Sequence, residues 1–377
     1  MHMKNTGLKV VFCASILGGL VGCGPQDGSK EFEQGREAYG LRDLKTAERS
    51  FEKSVAAAPQ DVDRLLFLAR TELELGELEK AKDLVGRAAE NSEGAADVAL
   101  LESQIAWHTK DYTTAANGFS DVANNVKLDA AVRSQGWAGL GVVEMTCDNH
   151  HLARIAFLRA LKLDRKNAAA WYHLGLLYRD GFGYLEAALE QFEIFVRLEE
   201  ESSPRVQKVQ RTVIPALKEQ ITRVAAERPG VDKRNSAACA SAIATAEAAV
   251  KKGNFKTARE AYQKALTADP LSYPAALGLA KAWEKADTTK DGQQKAFENY
   301  KIACTLRPSA VATFLSAGSL AVKLGLGLQA VEIYSRAVAA NPNSPDAIDG
   351  LIRALRKTGG KERVAAAYQS YRESMKK

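Results

Sequence analysis

Cysteine is scarce and scattered: Cys13, Cys23, Cys147, Cys239 and Cys304 are an odd set in 377 residues. None has CxxC spacing, which argues against a disulfide framework and against a thiolate zinc site. Ten prolines and 28 glycines are too few for a low-complexity chain. Aromatics, at 7%, favour Ala-rich helices over a sandwich of strands. The net charge of +6 falls to +4 without Lys4 and Lys9, too mild to imply nucleic acid, and no nucleic-acid partner is expected. There is no G-x-S-x-G, H-E-x-x-H or G-x-x-x-x-G-K-[ST] motif. No enzyme activity, cofactor or metal is therefore expected. What is present is core-building material, 46% hydrophobic with 26% charged, and the predicted fold class is all-α.

Lys4 and Lys9 precede an apolar run from Val10 to Val21. A charged start before a short hydrophobic stretch is an export signal, too short to span a bilayer stably. The run ends in Leu20-Val21-Gly22-Cys23, which resembles a bacterial lipoprotein signal. The resemblance implies that residues 1–22 are cleaved and that Cys23 becomes the acylated first residue, anchored by several acyl chains at about 0.8 kcal/mol per buried methylene. The alternative is an ordinary thiol beside a plain signal cleavage site. Gly24, where inner-membrane retention commonly uses Asp, implies the outer membrane, with the protein facing the periplasm. Residues 23–30 are then a short tether, which places the folded body close to the lipid.

The body repeats with a period of 34 residues: Ala47, Ala81 and Ala115 are evenly spaced, as are Ala296, Ala330 and Val364. Four positions after the repeat residue stands a bulky one, as in Phe51, Phe157, Tyr300 and Tyr368, and three further on often another Ala. Twelve positions before it stands a small residue, as in Gly35, Ala69, Gly141 and Gly318. Spacings of four and seven share one helix face, and small opposite large predicts interlocking helix pairs.

Trp171-Tyr172-His173-Leu174-Gly175-Leu176-Leu177-Tyr178 then resembles the tetratricopeptide signature W-x2-L-G-x2-Y, and Trp137-Ala138-Gly139-Leu140-Gly141 its first part. The family resemblance implies a right-handed superhelical solenoid of about nine helix-turn-helix repeats. Pro59, Pro270, Pro308 and Pro342 fall after second helices, and Gly76, Gly253, Gly325 and Gly359 fall in turns within pairs. Three insertions, before Ala153, before Ala188 and before Ala296, are expected to sit in loops. Ser203 to Glu227 lacks the pattern but carries a stripe of Val206, Val209, Val213, Leu217, Ile221 and Val224, predicting a helix capped by Ser203-Pro204 and kinked near Pro215. The expected organisation is an N-terminal array over 31–200, a divider helix and hinge over 201–235, and a C-terminal array over 236–377.

Asp148-Asn149-His150-His151 and Gly181-Phe182-Gly183 read as solvated turns, and Cys304 as a packing residue. Binding is expected on first helices, which line the concave surface of such solenoids. In the N-terminal array the family register places Phe32, Arg36, Tyr39, Phe67 and Arg70 there, then Leu100, Gln104, Trp107 and His108, then Met145, Tyr172 and His173. Large apolar groups at surface positions mark binding sites. In the C-terminal array it places Lys251, Lys281, Lys285 and Lys323, then Arg353, Arg356 and Lys357, with Glu247, Glu284, Asp346 and Asp349 to balance them. The reading is a non-catalytic, membrane-anchored scaffold for protein or peptide partners in the cell envelope, an assembly or adaptor factor. The alternatives are a pilotin-like factor for a type IV pilus or secretin, and a carrier or auxiliary subunit of an envelope enzyme acting on lipid or glycan.

Overall fold

The computed structural model describes residues 27–376 except 93, 202, 228, 229, 231 and 233. Cys23 and the segment 1–22 lie outside the described residues. Those described form helices and no strand, in two compact units divided between residues 93 and 94. The first unit holds α1 (Ser29–Gly40), α2 (Leu44–Ala57), α3 (Val62–Leu75) and α4 (Leu78–Glu90). The second begins with α5 (Ala96–His108), α6 (Tyr112–Asn124), α7 (Ala130–Thr146) and α8 (His150–Leu163). It continues through α9 (Ala168–Leu176), α10 (Leu185–Leu198), α11 (Pro204–Lys208) and α12 (Ile214–Ala226). Its remaining pairs are α13 (Ser236–Lys251) with α14 (Phe255–Ala268), and α15 (Tyr273–Ala286) with α16 (Lys290–Leu306). Then come α17 (Val311–Lys323) with α18 (Gly327–Ala340), and α19 (Pro345–Thr358) with α20 (Glu362–Ser374). Nine antiparallel pairs result, matching the repeat count read from the sequence.

The repeat alanines are sealed: Ala47, Ala81, Ala115, Ala153, Ala188, Ala258, Ala296 and Ala330 have no exposure. In the last repeat the register moves by one residue, so that Ala365 is buried in place of Val364 while Tyr368 keeps the bulky position. Small opposite large is literal. A Cβ on Gly35 would stand 2.5 Å from the Phe51 ring, one on Gly141 2.5 Å from Phe157, and one on Gly318 2.7 Å from Tyr334. Side chains there would push the paired helices apart.

Within pairs the chain reverses through a left-handed residue. Gly76, Gly253, Gly325 and Gly359 supply it with φ of 87°, 72°, 77° and 73°, but Arg42, Lys110 and Asp148 take the same role at 62°, 64° and 58°. The insertions are handled differently from expectation. Those before Ala153 and Ala296 lengthen α7 and α16 to 17 residues each, about a turn beyond their neighbours. Lengthening a helix keeps every inserted amide bonded, which a longer loop would not. The single residue before Ala188 is wound into a π-helical turn, Leu177–Phe182, continuing α9.

From Pro204 to Ala226 the divider is helical, with a π-helical turn at Val209–Val213 between α11 and α12. Pro215 follows that turn directly. Its missing N–H and its ring, which clashes with the carbonyl of Arg211, explain why the winding widens there. Ser203 occupies the cap position with Pro204 after it, but its side chain makes no capping bond. Val206, Val209 and Leu217 are buried on this segment, which packs against α10.

The second unit also closes on itself. Helix α20 packs on α8, and one apolar core runs from Ala138 to Tyr371, drawing on α7 to α12 as well as α15 to α20. At this seam Arg154 is fully buried; its Nε donates to the Tyr368 hydroxyl at 2.7 Å and another guanidinium nitrogen to the Ser335 carbonyl at 2.9 Å. Arg159 donates to Ser370 at 2.7 Å, and Lys162 to the Ser374 carbonyl. Most of these contacts come from second helices of pairs.

Candidate partner-binding surfaces

In the first unit, α1 carries Phe32, Arg36 and Tyr39 at helical spacing, and α3 carries Phe67 and Arg70. Phe67 meets Phe32 edge-on at 5.3 Å and lies 5.5 Å from the sealed Phe51 and 6.5 Å from Tyr39. It is half in the core. Its outer face lies under two guanidinium groups, Arg36 at 5.8 Å and Arg70 at 5.7 Å. The Tyr39 hydroxyl donates to Glu74, which also pairs with Arg42, and burial together with that carboxylate pushes the Tyr39 hydroxyl pKa up. The surface is thus a ring edged by cations, suited to an apolar group next to a negative one.

In the second unit the family register places residues that the structure separates. Leu100 is 5% exposed within the α5–α7 core, and His173 stacks on Phe157 at 6.0 Å with its Nδ1 buried and unpartnered. Burial, reinforced by the Arg205 charge, lowers the His173 pKa to about 4. Leu100 faces the neighbouring helices of its core, and His173 is half-buried against Phe157 of α8. Gln104 and His108 are exposed, and Trp107, Met145 and Tyr172 are half-buried. The Trp107 indole donates to Thr146 at 3.1 Å, which fixes it beside the end of α7. Tyr172 packs on Phe192 and Phe195, and Arg205 from α11 stands 5.2 Å over its ring, so the divider partly covers it.

Lys251, Lys281, Lys285, Lys323, Arg353, Arg356 and Lys357 are all exposed and none forms an ion pair among the described residues. Lys251, Lys285, Lys323 and Lys357 recur at equivalent places in the last turns of α13, α15, α17 and α19. Their charge there complements the helix dipole, a local role that exists without any partner. Of the four acids expected to balance this face, Glu284 accepts from Tyr300 at 2.6 Å and Asp349 pairs with Arg372 at 3.2 Å. Asp349 is thus met by a cation outside this set, whereas Glu284 keeps its charge.

In the two clusters read as solvated turns, Asp148, Asn149 and Gly183 are exposed, but His150, His151 and Phe182 are packed. His151 is wedged beside Phe182 and Tyr368, where burial lowers its pKa to about 3, and His150 stands edge-on to Phe182. Phe182, inside the π-helical turn, lies 4.8 Å under the Arg154 guanidinium. Cys304 is a packing residue, as read, with burial pushing its thiol up to about 12. Glu48, Glu52 and Glu72 bring carboxylate oxygens within 4.8 Å of one another. The Lys80 ammonium stands 3.6 Å from both Glu48 and Glu72, and Lys45 pairs with Glu48 at 3.0 Å.

Sequence comparison identifies two stretches of the helix pairs. A family model described as tetratricopeptide repeat matches residues 38–105, and a second of the same description matches 243–292. Those two stretches carry tetratricopeptide repeats. No curated protein matches it in sequence. Among solved structures, Pseudomonas aeruginosa PilF is 16% identical with a TM-score of 0.40, covering 54% of this chain and 94% of that one. PilW, titled a type IV pilus biogenesis factor, is 15% identical at 0.38, covering 66% and 97%. The Cut9–Hcn1 assembly of the APC/C is 15% identical at 0.37, covering 93% and 79%. Likenesses this distant carry nothing about function.

Tetratricopeptide register located the first-helix positions but gave no sign of Arg154 and Tyr368. Arg154 follows the repeat Ala153 at a place where Glu48 and Lys82 stand in earlier repeats, so an arginine there reads as surface. Its burial depends on a helix 214 residues away.

Proposed function

We propose that this tetratricopeptide protein is a non-catalytic scaffold that binds protein partners through its first-helix faces. It is held at the membrane by a lipid on Cys23, and serves as an assembly or adaptor factor at the outer membrane. The observation that carries the reading is the basic face of α13, α15, α17 and α19, whose exposed cations form no ion pairs among the described residues while two of its four acids are engaged elsewhere. Such a face attracts an acidic segment and speeds its encounter. The aromatic surfaces at Phe67 and at Trp107 add places for apolar side chains. Among the described residues no helix is long and apolar enough to cross a membrane, so attachment in this reading rests on the anchor. The two strongly displaced histidines, His151 and His173, owe their shifts to packing against Phe182, Tyr368 and Phe157, a structural cause that needs no substrate.

Crosslinking in cells followed by mass spectrometry identifies the partner. Lys281→Glu with Lys285→Glu should then slow association several-fold at low salt and leave dissociation nearly unchanged. Cys23→Ser should release the protein from membranes with its helical content intact. Persistent attachment of that variant removes the anchor from the proposal.

A further inference from the structure

Residues 27–29 are fastened to one end of the first unit. Arg64, in the first turn of α3, is buried and donates to the Asp27 carbonyl at 2.6 Å and to the Ser54 carbonyl at 3.0 Å. It also reaches the Ser29 hydroxyl at 3.4 Å, and the Ser54 hydroxyl donates to the Gly28 carbonyl at 2.9 Å. Gly28 holds φ at 72° where a Cβ would stand 2.6 Å from the Arg64 guanidinium and 2.8 Å from the Ala57 methyl. Both its backbone angle and its surroundings call for glycine.

This clamp decides which end of the unit a lipid on Cys23 can reach. Asp27 is the fourth residue after Cys23, so the two stand at most about 14 Å apart along an extended chain. The clamped end gathers the start of α1, the α2–α3 turn and the close of α4, whose Arg87 donates to the Pro59 carbonyl at 3.3 Å. The opposite end gathers the close of α1 and of α3, where Tyr39 donates to Glu74. Helix α3, with 14 residues, holds the two ends about 21 Å apart. The clamped end is polar. Pro59 and Gln60 are exposed at its turn, and its exposed charges are mixed, Lys30 and Lys53 with Asp27 and Asp63. Mixed charge suits the phosphate and ammonium of zwitterionic headgroups and gives none of the pull that a basic cluster exerts on anionic lipid.

We propose that the clamped end of the first unit, at Pro59 and Gln60, is the surface that meets the headgroups of a zwitterionic phospholipid bilayer. The inference rests on the lipid at Cys23 proposed above. Arg64 is the positioning residue: by holding residues 27–29 it leaves a bridge of three residues, 24–26, between the acylated cysteine and the folded body. The far end, with Tyr39, Arg42 and Glu74, then faces away from the bilayer.

The test uses the full chain in phosphatidylcholine vesicles, with photoreactive benzoylphenylalanine placed at Gln60 or, at the far end, at the exposed Leu41. Illumination should crosslink lipid several-fold more from Gln60 than from Leu41. Inserting about 20 Gly and Ser residues after Gly24 lengthens the path to Asp27 roughly sixfold, and effective concentration falls as about the −3/2 power of length, so the Gln60 signal should drop about tenfold. Phosphatidylglycerol added to the vesicles should leave that signal unchanged. Equal crosslinking from the two sites, a Gln60 signal indifferent to the inserted residues, or one that rises several-fold with phosphatidylglycerol would each overturn the proposal. Mass spectrometry of the same protein separates the causes of failure. Equal crosslinking by an acylated chain overturns this surface alone, whereas a chain without acyl groups overturns the anchor as well.

Discussion

The Arg154 guanidinium and the Tyr368 hydroxyl meet at 2.7 Å across 214 residues of sequence, in an interior that offers the arginine no carboxylate. The charge is held by a phenol, the Ser335 carbonyl, and the faces of Phe182 at 4.8 Å and Tyr368 at 5.4 Å. A buried guanidinium stays charged, so each of these contacts substitutes for water. Tyr178 lies in the same interior with a hydroxyl that finds no partner. The seam between α8 and α20 is therefore a contact that only the correctly closed unit can satisfy.

Removing one partner should cost more than removing both. Tyr368→Phe leaves the arginine short of an acceptor and should destabilise the second unit by about 2–3 kcal/mol. Arg154→Met with Tyr368→Phe should cost less than the sum of the two single changes by at least about 1 kcal/mol. Urea unfolding of the four proteins closes the cycle; strict additivity would mean that the bond contributes nothing specific.

Truncation after Glu227 tests the same seam at larger scale. It removes α20 from α8 and leaves Arg154, Phe182 and Tyr178 uncovered. An array that stood alone would remain soluble and helical, because repeat stability is a sum of neighbour terms. Contact between α8 and α20 breaks that one-dimensional rule, so the fragment should aggregate or melt well below the full chain in a thermal scan.

Local periodicity made the helix pairs legible. Ala47 to Phe51 and Gly35 to Phe51 are relations within one repeat, and each appears in the sequence as a fixed spacing. The seam was not legible, because Arg154 meets Tyr368 through the path of the whole second unit and no spacing encodes it. Leu100 and His173 illustrate a finer limit. Register assigns a position to a helix, but a rotation of tens of degrees decides whether it faces the partner helix or solvent. The lysines of the basic face were readable because long charged side chains at helix ends stay exposed under almost any rotation.

Lys110 offers a gain in stability. It holds φ at 64° in a turn where Gly76 and Gly253 do the same work without a Cβ penalty, and it is exposed. Left-handed backbone costs a non-glycine residue about 1 kcal/mol, partly offset by the greater freedom of glycine when unfolded. Lys110→Gly should therefore stabilise the second unit by about 0.5 kcal/mol, seen as a higher urea midpoint. The same change at Arg42 should gain less, since Arg42 pairs with Glu74.

Acid should weaken the second unit before its carboxylates titrate. His173 and His151 are held neutral with pKa values lowered from 6.5 to about 4 and about 3, chiefly by burial. A base whose folded pKa is depressed contributes full stability above its unfolded value and loses it as pH falls through 6.5 toward the folded one. Each unit of pH below about 6 should remove about 1.4 kcal/mol per histidine. Asp111 and Asp269, whose pKa values are lowered from 3.8 by bonds to Thr114 and Arg234, weaken the fold only below about pH 4, outside that window. Glu72 in the first unit has the opposite sign: burial raises its pKa, so protonation relieves a cost as pH falls. Urea midpoints measured from pH 7.5 to 5 should fall steeply for the second unit. His173→Phe keeps the stack on Phe157, removes an unpartnered nitrogen, and should flatten that slope by roughly half. An unchanged slope in the variant would mean that His173 titrates in contact with solvent, and that the packing over α9 opens readily.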